Sequence, residues 1–492
     1  MELSWKEINA ERLVGRQRSQ DKVSGELPSP DGRIPEAILG RGARIVVDSS
    51  TAENDCVRIK GSVIANVVAE DLNGETISYE SKAGFEQSVR IEGVSPGMSA
   101  QTYASIQAFD ILPSGSGAAI DAYVDFDVIV TTSVPMKVTA GISGIGDLEL
   151  DKAVISAGRR SKIGQERIRL REELAADGVS SVIASEGNIA VRDVSVENGS
   201  AVISGVITVS AVTADSEGKL SQLIRQVPFR ERVKMDQSSD EVYCSARIVS
   251  LYLNALGEDF ALISMDADVV FELYGVTENE IEIPVDAYSP SVGFDCLCEK
   301  AVILESRGIG MIQTTVKEVV PLPEDAAELA SPLFSSAAPV ITSVDTAGED
   351  MTVNGVLLTS ITYESTAGRK YVFSEDVPFS VSLGSGHYVN MPVVVPNAVC
   401  SVTSAGDRTV QITYNLVLSA EYLNAVETSA AVGLAEKEMQ ERPSGIVVCF
   451  ASEGETDFDI AKRYSVPRSE LKRLNPDAAS PYREGEKLIL MV

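Results

Sequence analysis

The amino-acid sequence predicts a mainly β protein in which three tandem antiparallel β-sandwich repeats are followed by a small βααβ domain. Three observations support this fold class: a threefold internal repeat, alternation of apolar and polar residues within each repeat, and a change to helical spacing after Gly445. Apolar residues at every second position are typical of half-buried strands, whereas a spacing of three or four residues is typical of helices. The chain of 492 residues is long enough for three or four domains.

The repeat is defined by one glycine that lies inside an apolar run in each copy, at Gly61, Gly205 and Gly355. Each of these glycines is followed 13 residues later by a second glycine and 24 residues later by a phenylalanine. These partners are Gly74, Gly218 and Gly368, then Phe85, Phe229 and Phe379. The first glycines are 144 and 150 residues apart, so we expect one structural unit to occur three times.

The residues around the first glycine of each copy predict a strand, because every second residue is mainly apolar, as at Val57, Ile59 and Val63. A glycine inside a strand indicates a bulge or a close approach of another backbone. The second glycine allows the positive φ of a turn. Each copy therefore predicts a strand, a turn and a second strand.

Each copy also ends in a strand whose two faces differ. Apolar residues alternate with Asp125 and Asp127 in the first copy, and with Asp266 and Asp268 in the second. In the third copy, residues 410–418 alternate between apolar side chains and Gln, Thr or Asn. This pattern predicts antiparallel sheets with one face in water. The paired aspartates could serve as a catalytic acid and base, but their position favours solvation on that wet face.

The repeat spacing divides the chain into four domains. We expect β-sandwiches at residues 1–145, 165–288 and 312–432, and the βααβ domain at residues 445–492. Linkers are expected near residues 140–165, 288–312 and 425–445. Within the last linker, the polar residues that follow Gly433 predict a short helix that ends at a Pro-Ser-Gly break.

The charge excludes two classes of partner. The chain has 42 Lys and Arg against 72 Asp and Glu, a formal net charge of −30. Binding to duplex nucleic acid or to an anionic membrane surface depends on basic residues, so neither is expected. The first 20 residues lack the apolar core of a secretory signal, and no apolar stretch is long enough to span a bilayer. We therefore expect a cytoplasmic protein.

The residues needed for catalysis or metal binding are scarce. His387 is the only histidine, so it would have to serve any Ser-His-Asp arrangement, and the other two copies have no counterpart. A histidine in a surface loop is the alternative that we favour. Among the six cysteines, Cys296 and Cys298 are the only close pair, and they lack the two-residue spacer of a zinc knuckle. We expect no catalytic residue, no metal and no cofactor.

The last domain has clear signals for two short helices. Thr456 and Asp459 fit a capping box, and Ile460, Ala461 and Tyr464 share one helical face. A break at Val466-Pro467 precedes the second helix, which has Leu471 and Leu474 as apolar contacts and ends at Asn475-Pro476. Apolar segments at residues 446–452 and 487–490 predict a strand on either side. We expect Ile460, Leu471, Leu474 and Leu488 to form its core.

This domain resembles a LysM domain in its turn Gly454-Glu455-Thr456, in Ile460-Ala461 of the first helix, in Leu474-Asn475-Pro476, and in Glu484-Gly485 before the last strand. LysM domains usually bind polymers that contain N-acetylglucosamine, in a groove between two loops. The resemblance places that groove at Gly454, Glu455, Thr456, Asp457, Phe458, Asn475, Pro476, Asp477 and Ala478.

Departures from the LysM pattern favour a protein partner over a glycan. Glu455 replaces the usual Asp, and Asp457 replaces a commonly apolar residue on the rim of the groove. Sugar binding needs apolar or aromatic faces with a few hydrogen bonds, whereas the first loop is crowded with acids. The predicted partner contacts are Asp457, Phe458, Lys462, Arg463 and Asn475. For Phe458, a place in the core of the first helix is an equal alternative.

The whole chain is similar to the SPOCS-domain proteins of spore-forming Clostridia, which combine such β units with a C-terminal LysM domain. The similarity depends on Leu27-Pro28, Leu322-Pro323, the glycine and phenylalanine offsets, and the last domain. It implies a non-enzymatic spore coat scaffold, made in the mother cell and placed at the forespore surface. It also implies other coat proteins and the coat-basement ATPase SpoIVA as partners, the latter bound by the LysM domain. The alternative is a protein that binds peptidoglycan; the functional surface of the β repeats and the oligomeric state stay open.

Overall fold

The computed structural model describes residues 3–142, 146–239, 241–256, 262–346, 350–385, 390–438 and 445–492. The predicted fold class is confirmed at the level of a mainly β protein, because antiparallel strands make up most of the described chain. Two short helices are present, and both lie in the C-terminal segment. Among the described residues, no helix has the length and apolar character that a membrane span requires.

Eight strands form the first repeat. They are β1 (Leu3–Ile8), β2 (Arg12–Pro28), β3 (Pro35–Glu53), β4 (Cys56–Asp71), β5 (Thr76–Arg90), β6 (Ser99–Ser114), β7 (Gly117–Thr132) and β8 (Met136–Ile142). Strands β3, β4 and β5 make one antiparallel sheet with β4 in the centre, and β2, β7 and β6 make another with β7 in the centre. Strands β1 and β8 pair separately as a two-stranded ribbon.

The second and third repeats have the same arrangement of strands. The second contains β9 (Glu149–Ala175), β10 (Ser181–Glu197), β11 (Ser200–Ala214), β12 (Leu220–Lys234), β13 (Glu241–Leu256) and β14 (Leu262–Tyr288). The third contains β15 (Phe294–Pro321), β16 (Leu329–Asp345), β17 (Asp350–Ser365), β18 (Lys370–Ser385), β19 (Val393–Gly406) and β20 (Thr409–Glu436). Their sheets follow the orders β10-β11-β12 with β13-β14-β9, and β16-β17-β18 with β19-β20-β15. The internal repeat thus appears as three equivalent strand orders.

The glycine of each central strand lies beneath the phenylalanine that follows it by 24 residues. Gly61 is paired with Phe85 across β4 and β5, and a side chain at residue 61 would clash with the Phe85 ring and with the carbonyl oxygen of Val46. The same relation holds at Gly205 with Phe229 and at Gly355 with Phe379. The predicted close approach of backbone is therefore confirmed, and it explains the fixed offset in the sequence.

Each repeat has its own core between its two sheets. Phe85 and Phe126 lie in contact in the first core, with ring centroids 5.5 Å apart, and Phe229 and Phe271 are 5.6 Å apart in the second. In the third core, the phenol of Tyr414 lies 2.9 Å from the hydroxyl of Thr359. The alternating residues of the sequence provide these inward side chains.

The stretches predicted as linkers are largely strand, so that prediction is wrong. The paired strands β9 and β14, and likewise β15 and β20, continue past their sandwiches as two-stranded ribbons. The reason is that apolar residues still alternate there, as at Ile281 and Ile283. The prediction of a helix after Gly433 is also wrong for the residues up to Glu436. These residues belong to β20 and pair with Phe294 to Leu297 of β15. Residues 439–444 lie outside the described residues.

The three ribbons share one core, although each belongs to a different repeat. Val138 comes from the first ribbon, Ile155 and Ile283 from the second, and Ile303 and Ala430 from the third. All five side chains are buried. The ribbons therefore hold the three repeats together at one end of the molecule.

The three sandwiches also contact one another in a ring. Gln222 of β12 donates to the carbonyl oxygen of Ser335 in β16 at 3.0 Å, while Ser78 of β5 donates to Ile183 of β10. Thr362 of β17 closes the ring by donating to Leu39 of β3. Each contact runs to the first strand of the three-stranded sheet in the next sandwich, so every repeat contacts the other two.

One sheet crosses the boundary between the first and third repeats. Strand β15 joins β2 where Ile303 pairs with Arg12, which gives a six-stranded sheet in the order β19-β20-β15-β2-β7-β6. Nearby, the buried Glu421 of β20 forms an ion pair with Arg160 of β9 and accepts a hydrogen bond from the phenol of Tyr103 in β6. Burial and the carboxylate of Glu421 raise the pKa of Tyr103 well above its ordinary value. This cluster takes one side chain from each repeat.

The C-terminal segment has the predicted order of strand, helix, helix and strand. Its elements are β21 (Ile446–Phe450), α1 (Asp457–Tyr464), α2 (Arg468–Leu474) and β22 (Lys487–Met491). The predicted capping box is present, because Thr456 and Asp459 bond reciprocally at the start of α1. Ile460, Leu471 and Leu488 are fully buried as expected, whereas Leu474 is only half-buried. We refer to residues 445–492 as the head and to residues 1–438 as the body.

Candidate functional site

The head lies on the ribbon of the second repeat. The phenol of Tyr288 donates to the carbonyl oxygen of Val466 at 2.9 Å, and its ring meets Phe458 edge-on with centroids 5.2 Å apart. Lys462 of α1 forms an ion pair with Asp286 beside this contact. The surface formed by α1 and the turn after it is therefore occupied by the body.

Two of the predicted partner contacts are used at this junction. Phe458 is buried, and its side chain belongs to the core of the head together with Tyr288. The core alternative for Phe458 is thus the one found. The ammonium of Lys462 is engaged by Asp286, so this residue contacts the body of the same chain.

Asp457 is buried rather than placed on the rim of the groove. Its carboxylate accepts a hydrogen bond from the phenol of Tyr482 and forms an ion pair with Lys472 at 2.8 Å. Its backbone N–H donates to the hydroxyl of Ser480 at 3.1 Å. Burial and the bond to Asp457 raise the pKa of Tyr482. Asp457 therefore joins the two loops of the predicted groove from within.

The amide nitrogen and the amide oxygen of Asn475 both form hydrogen bonds inside the head. The amide nitrogen donates to the carbonyl oxygens of Leu471 and Ile489, at 2.8 and 2.7 Å, and the amide oxygen accepts from the N–H of Ile489 at 2.7 Å. These bonds connect the end of α2 to β22. Asn475 is therefore a structural residue in this arrangement.

The first loop is held by its own polar groups. Glu455 accepts from the N–H of Ser452 at 2.8 Å and forms an ion pair with Arg463. Gly454 has a φ of +82°, in the left-handed region that favours glycine. The backbone of Tyr482 pairs with Gly454 and Glu455, at 3.0 and 2.8 Å, and so brings the second loop against the first.

Hydrogen bonds through Tyr482 and Ser480 thus join the two loops of the predicted groove, but few of the predicted groove residues are accessible. Glu455, Thr456, Lys462, Asn475 and Ala478 are half-buried, and Asp457 and Phe458 are buried. Four predicted site residues are exposed: Gly454, Arg463, Pro476 and Asp477. What remains at the mouth of the groove is mainly backbone, one proline and one carboxylate.

A second surface of the head was not predicted from the sequence. The outward side chains of β21 and β22 are all large and mostly apolar, and we call them the outer sheet face. It consists of Ile446, Val448, Phe450, Ile489 and Met491, which are 73, 47, 63, 39 and 52% exposed. The signal was available, because β21 is apolar at every position, whereas the helices of the head can cover only one face of a two-stranded sheet.

The carboxylate pairs of the β repeats are engaged by arginines on the neighbouring strand. Arg169 donates to Asp266 at 2.6 Å, and Arg167 and Asp268 form an ion pair. Hydrogen bonds from these arginines lower the pKa of both aspartates. Since a general acid must hold a proton near neutral pH, these pairs are unsuited to acid–base catalysis. In the first repeat, Arg16 likewise pairs with Asp127.

The expectation of a wet face is wrong for part of the third repeat. Asn415 of β20 is buried, because β10 of the second repeat packs against it. The amide of Asn188 donates to the carbonyl oxygen of Asn415 at 3.0 Å. Contacts between repeats replace solvent here, and the Gln, Thr and Asn residues of β20 suit that role better than carboxylates would.

A small cavity of about 40 Å³ lies where the three sandwiches meet. Glu186 lines it together with Gln222, Ser210, Asn66 and Ser335. Burial raises the pKa of Glu186 to about 8. The cavity holds space for water but is far smaller than an ordinary ligand pocket.

The candidates for catalysis and metal binding do not form a site in the described part of the chain. The sulfur atoms of Cys296 and Cys298 are 3.7 Å apart, and Cys298 is exposed. Among the described residues, no group of three His, Cys, Asp or Glu side chains could hold a metal ion. His387 lies outside the described residues.

Comparison with known proteins adds no relative to this description. No protein-family model matches the chain, no curated protein matches it, and no solved structure matches it. What the head can bind is therefore judged from its own geometry.

Proposed function

We propose that this chain is a non-enzymatic scaffold of spore coat assembly, of the SPOCS-domain type with a LysM head that the clostridial coat morphogenetic protein SipL represents. In this proposal it is made in the mother cell and acts at the forespore surface. The head binds a protein, a SpoIVA-like ATPase of the coat basement, and the body connects it to other coat proteins. The proposal follows the sequence resemblance and the geometry of the head.

One observation carries the choice of a protein partner. The groups that a sugar would need in the groove are engaged inside the head: Asp457 is buried, and both N–H groups and the amide oxygen of Asn475 are bonded to the backbone of the head. Phe458, the aromatic residue at this groove, is buried against Tyr288. Glycan binding needs an accessible aromatic or apolar face with nearby polar groups. A protein can instead use the exposed backbone, Pro476 and Asp477.

The charge distribution suits a scaffold with a distinct binding head. Residues 445–492 contain eight acids and seven bases, whereas residues 1–444 contain 64 acids and 35 bases. A body with a net charge of −29 stays soluble through self-repulsion. The nearly neutral head avoids that repulsion when it meets a partner.

The second candidate function is binding of peptidoglycan or another polymer of N-acetylglucosamine. It is favoured by the position of Gly454, Pro476 and Asp477, which stay exposed at the mouth between the two loops. A glycan that bound there would contact mainly backbone groups.

Capture experiments with the full chain separate the two functions. We expect the chain to retain a SpoIVA-like ATPase and to leave purified peptidoglycan in solution. Asp477→Lys should weaken capture of the ATPase, whereas Glu217→Lys, an exposed acid in the turn between β11 and β12, should leave it unchanged. Capture of peptidoglycan alone would contradict the proposal and support the alternative.

Localisation in sporulating cells tests the cellular part of the proposal. A tagged full chain should collect around the forespore, and a chain without residues 445–492 should stay dispersed in the mother cell. Forespore localisation that does not need these residues would show that the head is not the tether.

A further inference from the structure

The outer sheet face of the head forms three cross-strand rows. Ile446 lies opposite Met491, Val448 opposite Ile489, and Phe450 opposite Lys487. Five of these six side chains are apolar, and each is at least 39% exposed. The face is thus a short apolar stripe that ends in one cation.

The stripe faces away from the rest of the molecule. The inward residues of the same sheet, such as Cys449, Leu488 and Leu490, pack on the helices of the head. The body contacts the head on the helical side, through Tyr288. In the part of the chain that the structure describes, the outer sheet face is left to solvent.

The size of the stripe fits a reversible interface. Each large apolar side chain offers about 100 Å² for burial, so two such faces would bury on the order of 1,000 Å² together. This is the lower limit for specific association between proteins. A patch of about 500 Å² is at the upper end of the largest apolar patch of a typical monomer, and such patches are often binding surfaces.

We propose that the outer sheet face binds the same face of a second copy of this chain, so that two heads form a four-stranded sandwich. The central row of the face is Val448 with Ile489. A twofold axis that crosses the strands at this row places Val448 of one copy over Val448 of the other. The row of Phe450 and Lys487 then covers the row of Ile446 and Met491. The two copies of Lys487 lie at opposite ends, about 13 Å apart along the strands, where solvent ions screen their repulsion.

The charge distribution favours contact between heads. Each head has a net charge of −1, whereas each body has a net charge of −29. Two heads can meet without strong repulsion while the acidic bodies extend in opposite directions. The interface therefore lies in the part of the chain where electrostatic repulsion between two copies is weakest.

Sedimentation of the full chain at concentrations up to about 100 μM tests this association. We expect a reversible equilibrium between monomer and dimer. Val448→Glu and Val448→Lys should each weaken the dimer by at least about tenfold, because the axis brings identical charges together. An equimolar mixture of the two variants should restore association, because opposite charges then meet.

The matched control is Leu112→Glu, because Leu112 on β6 and Phe450 on the outer sheet face have the same exposure of 63%. Phe450→Glu should weaken the dimer, and Leu112→Glu should not. A wild-type chain that stays monomeric up to about 100 μM would overturn the proposal, and so would a mixture of the Val448 variants that does not associate. Circular dichroism of each variant checks that the fold is retained.

Discussion

The ring of Phe229 covers Gly205 and occupies the space that a side chain at residue 205 would need. The carbonyl oxygen of Ala190 approaches the same glycine from the neighbouring strand. The same three-part contact occurs in all three sandwiches, so the glycine is required by packing on both sides.

Gly205→Ala should therefore destabilise the second sandwich by about 1–3 kcal/mol, the range of overpacked cores. The added methyl group cannot be accommodated by a rotamer change, because one of its neighbours is backbone. Urea unfolding measures the loss. Gly42→Ala is the control, since a methyl group there would lie 3.9 Å from Asn66 in ordinary contact. Equal stability of the two variants would contradict this account.

Removal of the negative charge of Glu186 should make the protein more stable. Its pKa is about 8 in the folded chain and about 4.5 when exposed, so the folded state keeps the proton of Glu186 to a higher pH than the unfolded state does. Stability from this group is greatest below pH 4.5 and declines as the pH rises towards 8. Glu186→Gln should thus add about 2–3 kcal/mol at pH 7 and nothing at pH 4. Chemical unfolding at several pH values measures the difference, with the exposed Glu92→Gln as control. A gain that did not depend on pH would rule out this explanation.

Removal of Glu421 should weaken the association of the three repeats. Arg160 is only 13% exposed, and without Glu421 its charge would be buried and unpaired. We expect Glu421→Ala to cost about 3–5 kcal/mol in thermal or urea unfolding. Glu282→Ala breaks the exposed ion pair with Lys152 and should cost less than about 1 kcal/mol. Similar losses for both variants would show that burial of the cluster is unimportant.

Tyr288 should control whether the head stays on the body. Tyr288→Ala removes both the ring contact with Phe458 and the bond to Val466, so amide exchange in residues 457–464 should accelerate. Tyr288→Phe keeps the ring and should have a smaller effect. The cores of the sandwiches should exchange at unchanged rates. An unaffected α1 in the alanine variant would mean that other contacts hold the head.

Local patterns in the sequence were sufficient to predict the repeat and the helices of the head. Gly61 inside an apolar strand predicted a bulge or a close backbone approach, and the strand and its turn belong to one hairpin with Phe85. The capping box of Thr456 and Asp459 predicted the start of α1 for the same reason. Such features depend on residues that are close in the chain.

The errors concern contacts between distant segments. Asn415 was expected in water, but Asn188 of another repeat covers it. The stretches near residues 140–165, 288–312 and 425–445 were expected to be linkers, but their alternating residues pack in a core shared by three repeats. The core alternative for Phe458 could not be preferred, because its partner Tyr288 lies 170 residues away in the sequence. A single sequence contains no direct signal for such pairs.

The joined sheet has a consequence for the order in which the chain folds. Strand β2 reaches its neighbour β15 only through residues Arg12 and Ile303, which are 291 positions apart. During synthesis the first sandwich can form from its own strands, but the six-stranded sheet is complete only after residue 303 has left the ribosome. Open edges pair readily with wrong strands, and long-range pairing is slow. Because only Arg12 of β2 pairs with β15, the rest of this edge has no partner strand among the described residues of the folded chain, and Arg16, Arg18 and Lys22 place charge along it that opposes pairing with other chains.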